Sequence, residues 1–260
     1  MKKICGLFVA LALFLATPAR ADEIKVMTSG AFTEAYQQLV EQFQKTTQHK
    51  VVTTFGASMG GAKDSIPVRL NRGEPVDVVI VIESAFDPLI KAGHIIPASR
   101  VQLARSVIGA VVRTGAPKPD ISTVAALKET LLKAKSIAYS ASASGTYIST
   151  ELFTRLGIAD QVKDKAKRIE SERVAAVVAR GEAEIGFQQV SELLPVAGID
   201  YVGLLPAEVQ QVSIVSAAIA TKANARSAAK ALIDFLASPA AAATIHKTGL
   251  EPMVQPTLQK

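Results

Sequence analysis

From Val76 to Ile82 the chain reads V-D-V-V-I-V-I, apolar at every position except Asp77. A strand with one wet face alternates apolar and polar residues. An unbroken apolar strand needs cover on both faces, and helices on either side of a largely parallel sheet supply it. Upstream, Ile24 to Thr28 is strand-like, and Phe32, Tyr36, Leu39, Val40 and Phe43 then recur at helical spacing. Val51 to Phe55 is a β-branched strand followed by a short helix over Asp64 to Arg72, which Gly73-Glu74-Pro75 ends. The order βαβαβ predicts an α/β fold.

The strand at Val51 runs into G-A-S-M-G-G, Gly56 to Gly61. Glycines at Gly56, Gly60 and Gly61 permit backbone angles that a Cβ forbids, and such a loop turns N–H groups toward an anion. Ser58 adds a hydroxyl donor beside Met59. A second stretch repeats the design: Ser136 to Tyr139 reads as a short strand, and Ser140-Ala141-Ser142-Ala143-Ser144-Gly145-Thr146 leads into a helix that Gly157 stops. Two donor-rich loops suggest two jaws. At the first strand end, Ser29 precedes Gly30 and Ala31 and fits an N-cap.

Gly56-Ala57-Ser58-Met59-Gly60 also matches G-x-S-x-G, the nucleophile elbow of serine hydrolases. Asp200 or Asp234 followed by His246 keeps the required order. Against that reading, no H-G-G-G-like segment precedes the motif, and Pro67 interrupts the long helix that should follow the elbow. The three histidines, His49, His94 and His246, share no metal-ligand spacing. Neither metal nor cofactor is expected.

Further along, Phe86 to Ala92 is a short helix, Ser106 to Val112 a strand, and Thr123 to Lys133 a helix. Asp160 to Arg168 is a charged stretch with the pattern of a solvated helix face, and Arg173 to Arg180 is a helix starting near Ser171. Ile185 to Gln189, a segment at Tyr201, and Val212 to Ala220 are strands. Two alanine-rich helices, Ala225 to Ala237 and Ser238 to Thr248, close the chain.

The first residues are an address rather than part of the fold. Lys2 and Lys3 precede the apolar run Ile4 to Ala16 and the small-x-small site Ala19-Arg20-Ala21, so residues 1–21 are expected to be cleaved on export to the periplasm. Removal of Lys2, Lys3 and Arg20 halves the formal net charge of +6. It also removes Cys5, the one cysteine, so the mature chain has no disulfide in an oxidising compartment. With no tryptophan, 5% aromatic residues and no basic stripe, nucleic acid is a poor partner.

Five short motifs then fall in one order: T-S-G-A-F-T-E-A at Thr28 to Ala35, F-G-A-S at Phe55 to Ser58, and G-E-P-V-D-V at Gly73 to Val78, followed by S-G-T-Y at Ser144 to Tyr147 and G-E-A-E-I-G-F at Gly181 to Phe187. In this the mature chain resembles the periplasmic molybdate-binding proteins of ABC importers, a branch of the type II periplasmic substrate-binding proteins. The resemblance implies a two-domain type II fold, two hinge strands, and an anion held in the cleft between domains by hydroxyls and backbone N–H groups. It implies an importer permease in the inner membrane as partner, and a monomer is expected. The expected domains are residues 22–105 with 220–260, and residues 106–219.

Carried over by residue, the family's loop serine falls on Ser58 and its backbone donors on Ser144 and Val174. Ala31 replaces a ligand-binding serine and Gln189 a ligand-binding tyrosine, so a ring of neutral donors for molybdate or tungstate is incomplete. The loop after Ser58 is longer and brings in Lys63 and Arg69, while Arg173 sits beside Val174. Guanidinium groups suit a carboxylate, and Gln188 and Gln189 can add amide donors. The expected ligand is therefore a small organic polycarboxylate, bound rather than chemically changed. The expected site comprises Ser29, Gly30, Ala31, Ser58, Met59, Arg69, Ser142, Ser144, Gly145, Thr146, Arg173, Val174, Gln188 and Gln189.

Overall fold

In a computed structural model, which describes residues 21–170 and 172–253, the apolar run becomes β3 of a six-stranded sheet. The strands and helices that precede it are β1 (Glu23–Thr28), α1 (Thr33–Thr47), β2 (Lys50–Phe55) and α2 (Ile66–Asn71), and β3 itself is Val78–Ile82. β1 pairs in parallel with both β2 and β3. Every residue of β3 is buried, as an unbroken apolar strand requires. On one face α1 lays down Tyr36, Leu39, Val40 and Phe43, all buried. Each such side chain contributes roughly 1.5–3 kcal/mol by leaving water. On the other face α2 and α3 (Phe86–Lys91) place Ile66, Leu70, Phe86 and Leu89 against Val79 and Val81.

Asp77, the polar exception in the run, is buried because its carboxylate is fully used. It accepts from the backbone N–H groups of Lys25 at 2.8 Å, Asn224 at 2.7 Å and Ala225 at 3.1 Å. It thereby fixes the start of a late helix onto the first sheet.

β4 (Val101–Ser106) is a further strand of this sheet, and after one residue β5 (Ile108–Arg113) begins a second sheet. There follow α4 (Val124–Lys133), β6 (Ile137–Ser140), α5 (Ala143–Tyr147), α6 (Phe153–Arg155), α7 (Ala159–Val162), β7 (Ala166–Ile169), α8 (Val174–Ala179), β8 (Ile185–Gln189), α9 (Val190–Leu193) and β9 (Ile199–Leu204). β6 pairs in parallel with β7 and β8, while β5 runs antiparallel between β8 and β9. The chain then returns: β10 (Ser213–Ile219) lies antiparallel between β3 and β4, and α10 (Arg226–Leu236), α11 (Pro239–Lys247) and the two-residue β11 (Glu251–Pro252) finish on the first sheet. Within the described residues the chain crosses between sheets twice, at Val107 and between Leu204 and Ser213.

The fold is α/β with two sheets, as the sequence predicts, and three local expectations change. The charged stretch from Asp160 is not one helix: it forms the short α7 and then the edge strand β7, so Arg168 stands on a strand. Pro67 lies in the first turn of α2, where its missing N–H has no intrahelical partner to lose, and it interrupts nothing. The helix expected from Arg173 begins at Val174 with Arg173 as its N-cap, and Ser171 lies outside the described residues. Residues 1–20 of the expected export segment, residues 1–21, also lie outside them.

Candidate functional site

In both sheets the parallel strands aim their carboxyl ends at one another, and a cleft of about 470 Å³ opens there. This is the position at which open α/β sheets bind ligands, because the loops leaving the strands carry free backbone groups. The volume falls within the roughly 300–1,000 Å³ of ordinary small-molecule sites.

The first wall comes from the ends of β1, β2 and β3. Ser29, Gly30 and Ala31 line it, with Ser58 and Met59 from the glycine loop. Ser29 does not cap: its side chain makes no cap bond. Among the described residues, Ser29 Oγ and Thr28 Oγ1 are the buried side-chain atoms without a hydrogen-bond partner. A buried hydroxyl without a partner is a group that a ligand oxygen can satisfy. Ser58 is 7% exposed and its Oγ accepts from Ile82 N–H at a long 3.5 Å, which leaves its proton free to donate. Of the three glycines in the loop, Gly60 alone takes a positive φ, at +93°.

The second wall comes from the ends of β6, β7 and β8. Ser140 and Ser142 line it, their hydroxyls 2.7 Å apart. Ser144 is fully buried behind them, 3.1 Å from Ser140 Oγ, and neither Ser144, Gly145 nor Thr146 lines the cleft. Thr146 Oγ1 is turned back to the Ser142 carbonyl at 3.1 Å. The expected donors of this jaw thus shift toward Ser140 and Ser142, because α5 carries the later residues away from the opening.

Several expected donors are already committed within the protein. The Val174 N–H donates to Gln188 Oε1 at 2.9 Å, and Val174 is buried outside the cleft lining. Gln188 and Gln189 do line it, but Gln189 Oε1 accepts from Ser106 Oγ at 2.8 Å and its Nε2 donates to Ser213 Oγ at 3.2 Å. Ser106 ends β4 and Ser213 begins β10, so the amide fastens the two crossing segments together. Arg69 is absent from the cleft. Its guanidinium donates to Glu74 at 2.8 Å and to the Asp64 carbonyl at 3.0 Å, both close along the chain.

Arg173 does reach the cleft, half-buried, and donates to Glu34 Oε1 at 2.6 Å across the two walls. Two further charged groups line the cleft that no sequence pattern marks. Arg168 lines the cleft because β7 is a strand, and it pairs with Glu170 at 3.2 Å. Glu192, at the end of V-S-E, is 8% exposed and also lines the cleft. Burial pushes its carboxyl up to about 7, against the opposing pull of Arg173 and Gln188. A Cβ built on Gly30 would lie 2.2 Å from Glu192 Oε1, so only glycine lets α9 bring that carboxyl so close to the first wall. Beside it, Ser191 Oγ donates to the Ala31 carbonyl at 2.7 Å.

The elbow-like serine has no hydrolase partners among the described residues. No histidine lines the cleft, Asp200 accepts from the Gly115 N–H at 3.0 Å, and Asp234 pairs with Lys230 at 2.6 Å.

A model of bacterial extracellular solute-binding proteins matches residues 24–251. Over 247 residues the chain is 45% identical to a Pseudomonas protein named aconitate isomerase, covering 93% of this chain and 94% of that one. It is 31% identical over 255 residues to the molybdate-binding protein ModA of Azotobacter vinelandii, covering 94% and 96%. The solved periplasmic molybdate-binding protein of Azotobacter vinelandii superposes with a TM-score of 0.65 at 23% identity, over 87% of this chain and 98% of that one, and so shares the fold.

Proposed function

Since this chain belongs to the bacterial extracellular solute-binding protein family, we propose that it captures a small organic polycarboxylate in the cleft between its two sheets and delivers it to the permease of an ABC importer. It works in the periplasm after cleavage behind Ala21. The strands of each sheet form one domain, which moves β10 from the second domain of the expected division (residues 106–219) to the first, and the two hinges lie at Val107 and between Leu204 and Ser213. The ligand closes them because it touches both walls only in the closed state.

The observation that carries the carboxylate reading is Arg173, a half-buried guanidinium in the cleft wall, whose planar fork matches a carboxylate. Ser29, Ser58, Ser140 and Ser142 supply neutral donors for the remaining oxygens. The 45% relative is named for a tricarboxylate, which supports the same chemistry. A molybdate- or tungstate-type oxyanion is the second reading, favoured by the name of the 31% relative. It is weakened here because Ala31 offers no hydroxyl and the Gln189 amide is held between two serines.

Calorimetry of ligand-free protein against molybdate, tungstate, sulfate, citrate and trans-aconitate tests the choice. Binding of a tricarboxylate is expected, weakened by about 1–3 kcal/mol in Ser58→Ala, which removes a donor from a buried oxygen. Tight molybdate binding with no heat from any organic acid would overturn it.

A further inference from the structure

We propose that Glu192 is a proton-transfer group that lets this cleft isomerise an unsaturated tricarboxylate as well as hold it. This rests on the polycarboxylate reading above and goes beyond capture.

The geometry is that of a base placed at a binding site rather than of a structural carboxyl. Glu192 is more than nine-tenths buried, yet it lines the cleft and rests on Gly30 beside the unpartnered Ser29 hydroxyl. The nearby cation does not neutralise it, because Arg173 gives its short contact to Glu34 instead. Glu170 and Glu172, the other glutamates of the second wall, are each paired with an arginine, Arg168 and Arg180. Among the described residues the charge that acts on Glu192 is Arg173 from the start of α8, and the acid that α1 contributes, Glu34, is paired with that same Arg173. β8 brings the neutral Gln188, the Gly30–Phe32 turn brings no charge, and Arg113, the one charge of β5, lies at the far end beside Gly181. A buried carboxyl with a raised pKa, held close to the working pH, is suited to both taking and returning a proton.

The step needs no co-reactant. The Glu192 carboxylate takes a proton from the methylene next to a carboxylate of the ligand. The C–H electron pair spreads over the adjoining C=C and its carboxyl groups, whose negative charge Arg173 and the cleft hydroxyls can stabilise. The same carboxyl then returns the proton to the other end of the three-carbon unit. The double bond moves by one position, its geometry can be reset between cis and trans, nothing is oxidised or reduced, and Glu192 ends as it began.

The experiment pairs calorimetry with proton NMR in D2O, using cis-aconitate, trans-aconitate and the saturated tricarballylate on the full-length protein. Expected are binding of all three, and deuterium exchange with cis–trans interconversion of the two unsaturated acids. The rate rises with pH through about 7 as Glu192 ionises. At tricarboxylate concentrations that calorimetry shows to be saturating, Glu192→Gln should lose at least about 100-fold of the exchange rate, and Glu192→Asp should recover part of it. Circular dichroism on both variants checks that they are folded. Binding without exchange in the natural protein would overturn the proposal and leave the capture reading standing. Unchanged exchange in folded Glu192→Gln would remove Glu192 from the step. Absence of any tricarboxylate heat would overturn both readings.

Discussion

Arg173 Nη2 stands 2.6 Å from Glu34 Oε1, and this one contact ties the start of α8 to the first turn of α1 across the cleft. The guanidinium is held in place by a group with which a ligand carboxylate must compete. Replacing Glu34 by Gln keeps the shape and removes the competing charge. A partly exposed pair is worth about 0.2–1 kcal/mol, so Glu34→Gln should tighten tricarboxylate binding by about 1.4- to fivefold, and Arg173→Ala should weaken it by more than tenfold. Equal affinities in all three proteins, measured by calorimetry, would take Arg173 out of the site.

Gln189 joins Ser106 to Ser213, and the hinge depends on that bridge. In Gln189→Leu both serines lose a partner, and the buried one costs the more. Urea unfolding should show a loss of about 1–3 kcal/mol. A variant as stable as the natural protein but with no ligand affinity would mean that the amide serves the ligand instead.

Glu192 makes stability depend on pH. Its folded-state pKa is raised from 4.5 to about 7, so the folded chain holds a proton that the unfolded chain releases between those values. The associated stability is complete below pH 4.5 and is lost as pH rises through about 7, by on the order of 3 kcal/mol in all. Glu192→Gln carries no such proton. Its denaturation midpoint should therefore fall less steeply than that of the natural protein between pH 4.5 and 7, and parallel curves would disprove the linkage.

Gly30 is required by contact rather than by backbone angle. Gly30→Ala puts a methyl group 2.2 Å from Glu192 Oε1, and the carboxyl must turn away from the first wall. A destabilisation of about 1–3 kcal/mol is expected from the crowding. The exchange reaction should fall with it while Ser58 and Arg173 remain intact. A fully active, fully stable alanine variant would show that the close approach is dispensable.

The fold was legible because its signals are local. An apolar run without alternation, helical spacing from Phe32 to Phe43, and glycines after strands are properties of neighbouring residues, and each sets one βα unit wherever it lies. Ser29, Ser58 and Ser142 were legible for the same reason: they leave the carboxyl ends of strands, and the α/β arrangement brings those ends together. Arg168 was hidden because a short charged segment has no clear period, and pairing with β6 made it a strand.

What only the tertiary structure decided is which polar groups are already taken. Arg69, Val174 and Gln189 are the residue types that a ligand site wants, yet each is committed to a partner inside the protein. For Gln189 that partner is 83 residues away in the chain, a distance over which no sequence pattern carries. Glu192 is the converse: its sequence, V-S-E-L-L, shows an ordinary acid on a short helix. Burial against Gly30 on the other wall sets its charge, because desolvation depends on every atom packed around a group and not on its neighbours along the chain.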